Sequence, residues 1–372
     1  MNQRLRLKFT KLGFIIIAWL CIGFLIACYD YSVLRSGLSA GFSSDFSFAN
    51  HLAFSMVAGF LGALMGGSFL VFYVNEKYRD KPYGFTVLSV LISFIVIVAV
   101  ITVLLALIAA PVQTGKSFSN HETKEAFRRF LFDPIHVKNI IVWSVVVALT
   151  QIMLQFNTRF GEGNMWKMIW GKYQTPKEEQ RIFMFVDLNS STTIAEKLGD
   201  EKYHQLLKEF FADITNPILD NKGEIYQYVG DEVVIAWKYQ DGIQYNRCIE
   251  CFFDMKKQIQ KFSDKYLQKY GLLPGFKAGI HCGRVVAGEV GIIKRDITFS
   301  GDVLNTTSRI QGKCKEFGAE IIASDDLLNV LQLTGKYTTR FLGSIKLRGK
   351  EKDVELSTLV PVSNYDSNKI LS

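Results

Sequence analysis

The stretch Glu224-Ile225-Tyr226-Gln227-Tyr228-Val229-Gly230-Asp231-Glu232-Val233-Val234-Ile235-Ala236-Trp237 decides how the rest of the chain is read. Its Val, Ile and Tyr content predicts two strands, and Gly230-Asp231 predicts the tight turn between them. On its own this is a hairpin and nothing more. A second acidic strand end lies upstream. Arg181-Ile182-Phe183-Met184-Phe185-Val186-Asp187 is an apolar run that stops on a carboxylate, and Leu188-Asn189-Ser190-Ser191-Thr192-Thr193 then opens a helix. A strand tip and a hairpin tip bring Asp187 and Asp231 toward one space. Two carboxylates there repel unless a cation lies between them. Hard divalent ions such as Mg²⁺ take oxygen ligands and leave positions open for phosphate oxygens.

Outward from this core the pattern alternates. Tyr203, Leu207, Phe210, Ile214 and Ile218 follow helical spacing, and a long helix is expected over 241–270. Residues 276–288 read as a second hairpin turning at Cys282-Gly283, followed by a helix over 302–317, a strand at 320–323 and strand-like segments at 337–347 and 352–361. The fold class is α+β, with helices packed on one sheet. Cys248 and Cys251 have C-x-x-C spacing but lie in a helical pattern with no partner pair, so packing explains them better than zinc. Six scattered cysteines form no disulfide framework, which suits a reducing compartment.

The N-terminal part is different. In a chain of 372 residues with net charge +8, apolar residues concentrate before residue 157. Four transmembrane helices are expected at about 10–31, 52–73, 84–110 and 139–156, within a membrane domain over 1–156. Ala58, Gly62 and Gly66 are four apart in the second, a face of small residues suited to close helix approach. The expected inner segments carry four, three and five Lys or Arg, against six on the expected outer loops. That bias places both termini in the cytoplasm. The positive charge thus serves orientation in a lipid bilayer, and nucleic acid is not an expected partner. Residues 157–180 read as a juxtamembrane linker with Trp166 and Trp170 at headgroup level. A soluble domain follows over 181–362 and a tail over 363–372.

Two further elements carry chemistry. In Phe299-Ser300-Gly301-Asp302-Val303-Leu304-Asn305-Thr306-Thr307-Ser308-Arg309, Asn305 and Arg309 are four apart and project from one helix face. Arg offers a planar fork of donors suited to phosphate. Lys346-Leu347-Arg348-Gly349-Lys350 is a basic turn able to reach triphosphate oxygens.

Together these motifs resemble the catalytic domain of the class III adenylyl/guanylyl (nucleotidyl) cyclases, of a membrane-anchored bacterial type. The resemblance covers roughly residues 178–361. It rests on Phe-Val-Asp at 185–187, Val-Gly-Asp-Glu at 229–232, Gly283 with Ala287-Gly288, and Gly301-Asp302 leading to Asn305 and Arg309. It implies a ferredoxin-like, palm-type fold preceded by an all-α four-helix transmembrane domain. It implies a lyase that converts ATP to 3′,5′-cyclic AMP and pyrophosphate in signal transduction at the inner membrane of a bacterium. Asp187, Asp231 and the Leu188 carbonyl would hold two Mg²⁺ ions, with Mn²⁺ able to substitute. Asn305 would hold the ribose, Arg309 would stabilise the α-phosphate, and Arg348 and Lys350 would bind the outer phosphates. The backbone NH groups of 188–192 would add to the phosphate cradle. In this family the carboxylates and the Asn/Arg pair of one site come from opposite subunits, so a chain holding both sets implies a head-to-tail homodimer.

The chain departs from the family where the base is read. Many adenylyl cyclases use Lys and Asp there, and guanylyl cyclases Glu and Cys. The matching residues here are Gln227 and Thr298. A Gln amide can serve adenine or, turned over, guanine. ATP is the expected substrate and GTP the alternative. Two rivals are a diguanylate cyclase, which Asn305, Arg309 and the basic turn argue against, and a catalytically weak membrane receptor with a nucleotide-binding cyclase-like module.

Overall fold

The computed structural model describes residues 3–35, 48–78, 81–132, 134–161, 167–168, 170–293, 295–333, 335–346 and 353–362. The chain divides into two compact units, one over Leu5–Met165 and one over Trp166–Ser372 together with Met1–Arg4.

The first unit is helical. Helix α1 spans Gln3–Arg35 and α2 spans Phe48–Gly62. The chain continues through π-helical turns at Ala63–Gly67 and Phe69–Val74. Helix α3 spans Tyr83–Thr114, α4 His121–Leu131 and α5 Pro134–Phe160. Among the described residues, four stretches are long and apolar enough to cross a membrane: Gln3–Val33, Ser55–Lys77, Tyr83–Val112 and Val137–Thr158. The segment expected to be an outer loop contains α4, whose first turn is capped by Asn120 accepting from the Glu122 amide at 3.1 Å. Of the small-residue face expected on the second span, Gly66 lies against α1, where a Cβ would come within 3.4 Å of the Trp19 ring. A Cβ on Gly62 would meet nothing, whereas one on Gly67 would come within 3.0 Å of Leu12 and 3.1 Å of Ile15. The π-helical turns add residues per turn and rotate Gly67 against α1.

The second unit is built on an eight-stranded sheet in the order β2-β3-β1-β4-β6-β8-β7, with β5 also paired to β4. The strands are β1 Lys177–Leu188, β2 Glu224–Val229, β3 Glu232–Lys238, β4 Phe276–Val290, β5 Asp296–Ser300, β6 Ile321–Ser324, β7 Tyr337–Ile345 and β8 Val354–Pro361. Only the β4–β6 pairing is parallel among the described strands. Helices α6 (Ser191–Leu198), α7 (Asp200–Asp220), α8 (Arg247–Lys261) and α9 (Ser263–Tyr270) follow in order, and α10 spans Asp302–Gly312. Alternation along β1 separates two cores. Ile182, Met184, Val186 and Leu188 pack with Leu206, Phe210, Ile214 and Ile218 of α7 and with Phe252 of α8. Phe183 and Phe185 face the other way, toward Val234, Val285 and Val303.

Two expectations are corrected. Residues 276–288 are not a hairpin turning at Cys282-Gly283 but part of one continuous strand, which pairs with β1 from Phe276 to Ala287. Gly283 is there for space: a Cβ would lie 2.6 Å from Cγ2 of Val303 on α10. The helix expected over 241–270 is broken. Tyr245 and Asn246 take left-handed conformations (φ 57° and 54°), and α8 starts only at Arg247. Cys248 and Cys251 are fully buried core residues, as their helical pattern implied.

Candidate functional site

The central strand β1 delivers Asp187 to the sheet edge. Its six preceding residues, Arg181–Val186, are all buried, so the strand is fixed on both faces. Asp187 continues the parity of Phe183 and Phe185. Its cross-strand partners are Glu232 on β3 and Lys277 on β4. The chain then leaves the sheet sharply: Asn189 donates its amide to the Gly275 carbonyl at 2.8 Å, and Ser190 adopts φ 55° before α6 begins.

Asp231 is delivered by the neighbouring hairpin. Val229 pairs with Glu232, so Gly230 and Asp231 form a two-residue loop, with Gly230 at φ 61°. A glycine adopts that conformation without the steric cost of a Cβ. Burial first, and then the charges of Asp187 and Asp231, push the Glu232 carboxyl up to about 7. The same two aspartates, after burial, raise the Tyr203 phenol, whose hydrogen bond to Ser191 works the other way. Asp187 and Asp231 therefore act on the same neighbours, and Lys277, 3.1 Å from Asp187, supplies a positive charge beside them. That donor chemistry, hard carboxylate oxygens in mutual repulsion, fits a divalent cation.

Asn305 and Arg309 behave differently. On α10 the residues Val303, Thr306, Thr307, Ile310 and Gln311 are buried against the sheet, whereas Asn305 and Arg309 are exposed. One helix thus reaches Asp187 with one face, through Gln311, and presents the Asn/Arg pair on the other. Asn305 and Arg309 do not share a face with the carboxylates of their own chain.

The two positions expected to read the base flank one aromatic contact. The Phe299 amide donates to the Tyr226 hydroxyl at 3.3 Å, and the two rings lie 5.1 Å apart. Gln227 adjoins Tyr226 and Thr298 adjoins Phe299. A bulge between Ile225 and Gln227 sets Gln227 opposite Val234, on the exposed side of the edge strand. Thr298 is half-buried, its hydroxyl 3.5 Å from the Gly288 carbonyl. Arg181, fully buried, braces this region from below. It donates to Glu179 at 2.6 and 2.8 Å and lies 5.0 Å from the Phe299 ring. Arg348 and Lys350 lie outside the described residues, as does Trp166.

Sequence reasoning missed Glu232, Tyr203, Lys277 and Gln311. Glu232 stood beside Asp231 in the quoted hairpin, and its even spacing from Val234 and Ala236 placed it on the Asp187 face. Lys277 and Gln311 carried no such signal, because their closeness to Asp187 depends on pairing between distant segments.

The sheet order, the acidic strand end and the two-faced helix α10 define a mixed-sheet α+β catalytic domain, preceded by a helical region with several apolar helices. Comparison with known proteins gives the class a name. The sequence profile of the adenylate and guanylate cyclase catalytic domain matches residues 173–359, half of the chain, and the chain belongs to that family. It is 32% identical over 222 residues to adenylate cyclase 2 of Rhizobium meliloti (strain 1021), spanning 59% of this chain and 61% of that one. It is 27% identical over 179 residues to an adenylate cyclase of Anabaena cylindrica, spanning 46% and 35%. The chain therefore spans less than two thirds of these relatives. Among solved structures, a bacterial light-regulated adenylyl cyclase superposes with a TM-score of 0.51 at 20% identity, over 60% of this chain and 66% of that one, which shows the fold.

Proposed function

We propose that this chain is a membrane-anchored adenylyl cyclase that converts ATP to 3′,5′-cyclic AMP and pyrophosphate. The observation that carries the reading is the two-faced helix α10. Its buried face supports Asp187 and its exposed face offers Asn305 and Arg309. Each chain thus bears two complementary half-sites pointing away from each other, as a head-to-tail homodimer with two composite sites requires. The four apolar helices anchor the enzyme in a bacterial inner membrane, with the catalytic unit on the cytoplasmic side where nucleoside triphosphates are found.

Asp187, Asp231 and the Leu188 carbonyl would hold two Mg²⁺ ions, or Mn²⁺, which when bound lower the pKa of the ribose 3′-hydroxyl and neutralise the triphosphate. Little covalent chemistry is left to the protein, and positioning with charge stabilisation sets the rate. Asn305 of one chain hydrogen-bonds the ribose ring. Arg309 places its guanidinium on the α-phosphate, where charge builds as the 3′-oxygen attacks and pyrophosphate leaves. Arg348 and Lys350 bind the outer phosphates. The amides at the start of α6 add dipoles of the same sign.

Gln227 and Thr298 read the base with neutral groups. A site built on a fixed charge leaves a buried polar group unpaired when the wrong base enters, which is costly, whereas an amide and a hydroxyl can turn. ATP is therefore preferred over GTP by about one to two orders of magnitude in kcat/KM, or about 1.4–2.8 kcal/mol. Purified protein supplied with ATP, GTP, CTP and UTP, with products identified by mass spectrometry, tests the reading. Cyclic AMP should dominate and cyclic GMP should be detectable. Gln227→Lys with Thr298→Asp should sharpen the choice of ATP, and Gln227→Glu with Thr298→Cys should shift it to GTP. Exclusive formation of cyclic GMP, or of a cyclic dinucleotide, defeats it.

A further inference from the structure

Asp187 is held more firmly than a ligand on a strand end needs to be. Both Lys277 and Gln311 converge on the same one of its oxygens. Lys277 Nζ lies 3.1 Å from Oδ2, and Gln311 Nε2 donates to Oδ2 at 3.0 Å. Oδ1 accepts no hydrogen bond from the described residues. Lys277 is the direct cross-strand partner of Asp187, so its reach follows from register alone. Gln311 arrives by a different route. A Cβ on Gly279 of β4 would lie 2.3 Å from the Gln311 nitrogen and 2.6 Å from its Cα. Only glycine lets α10 settle this close to the strand. The amide is brought to Asp187 by that approach, and at 7% exposure it has little access to water. A buried amide without a partner is costly, so Asp187 is as much a requirement of Gln311 as the reverse.

We propose that Gln311 and Lys277 are positioning residues for the cyclisation site. They fix Oδ2 of Asp187 and leave Oδ1 for a divalent cation. This rests on the cyclase reading above. Partners that orient a ligating carboxylate typically contribute 10–100-fold in metal affinity. For Lys277 simple electrostatics argues the opposite sign. A positive charge beside the ligand repels an arriving cation, so if Lys277 only competed, its removal would tighten binding.

The test uses the full chain in detergent and Mn²⁺ alone as probe, with free Mn²⁺ followed by electron paramagnetic resonance. Gln311→Leu and Lys277→Met should each weaken Mn²⁺ binding about tenfold or more, and Lys277→Arg should restore it. In turnover with ATP, the loss in both variants should fall on the Mg²⁺ concentration needed for half-maximal rate rather than on kcat. Unchanged Mn²⁺ affinity in both variants, or tighter binding by Lys277→Met, overturns the proposal. Should Gln311→Leu fail to fold, Lys277→Met decides by its sign, since Lys277 keeps 21% of its side chain exposed and tolerates change. A wild type that binds Mn²⁺ and cyclises ATP while the variants match it defeats this inference alone. A wild type that neither binds nor cyclises defeats the cyclase reading, and this inference with it.

Discussion

The two units of the chain both bury apolar residues but differ in what they leave exposed. In the catalytic unit the largest side chains, Trp237, Phe183, Phe210 and Phe252, are buried, and the carboxylates gather at an edge. In the helical unit Met65 and Val112 are 74% and 77% exposed, while Gln151 is 0% exposed. The interior of this unit is mostly apolar as well, around Trp19, Leu70, Val71 and Val147, with Thr86, Gln151 and Gln155 among the few buried polar residues, and an apolar exterior of this kind is unfavourable in water and favourable in lipid. The contrast teaches that the two units have different surfaces, and that the same substitution should have different effects in each.

The largest difference is expected in core truncation. Phe210 is fully buried and its ring lies 5.6 Å from that of Phe276. Phe210→Ala should cost the catalytic unit about 3–5 kcal/mol by transfer and cavity formation. Met65→Ala, on the outer face of its helix, should cost the helical unit less than about 1 kcal/mol. Thermal unfolding in detergent, followed separately by near-ultraviolet dichroism of the catalytic unit, checks both. Equal losses would mean that the outer face of the helical unit is packed against protein.

The next expectation concerns charge in the unit that faces water. Glu232 is raised to about 7 from an ordinary 4.5. The unfolded chain releases this proton first as pH rises, so without metal the catalytic unit should lose stability between about pH 4.5 and 7. Glu232→Gln should flatten that part of the profile, and saturating Mg²⁺ should oppose the loss. A wild-type profile flat across this window without metal would place Glu232 outside the field of Asp187 and Asp231.

The smallest effect belongs to the helical unit. Both polar atoms of the Gln151 amide are buried without a hydrogen-bond partner among the described residues. Nearby, Trp19 Nε1 donates to Thr150 Oγ1 at 3.0 Å, so polar groups in this interior do pair where they can. Gln151→Leu removes an unsatisfied amide at similar volume and should stabilise the unit by about 1 kcal/mol. Destabilisation would show that the amide has a partner in the membrane.

The readable parts of the sequence were those whose signal is local. The 224–237 hairpin, the acidic end of β1 and the helical spacing of Asn305 and Arg309 each lie within one element. Glycines misled because their sequence reading is ambiguous. Gly283 looks like a turn residue, yet it lies inside β4 and makes room for Val303 of α10, as Gly279 of the same strand does for Gln311. The break before α8 was hidden for a related reason, since Tyr245 and Asn246 take left-handed backbone without a glycine to mark it. Lys277 and Gln311 could not be found at all from spacing. The first needs the β1–β4 register and the second the packing depth of α10.

The central claim is that each active site is completed by two chains. Asp231→Ala removes the acidic half and Arg309→Ala the other half, and each variant alone should be inactive. Mixed in equal amounts with subunit exchange, half of the dimers are mixed and each holds one intact site. Cyclic AMP formation should then recover to about a quarter of wild type. No recovery, with exchange demonstrated by differently tagged chains, would show that each site is built within a single chain.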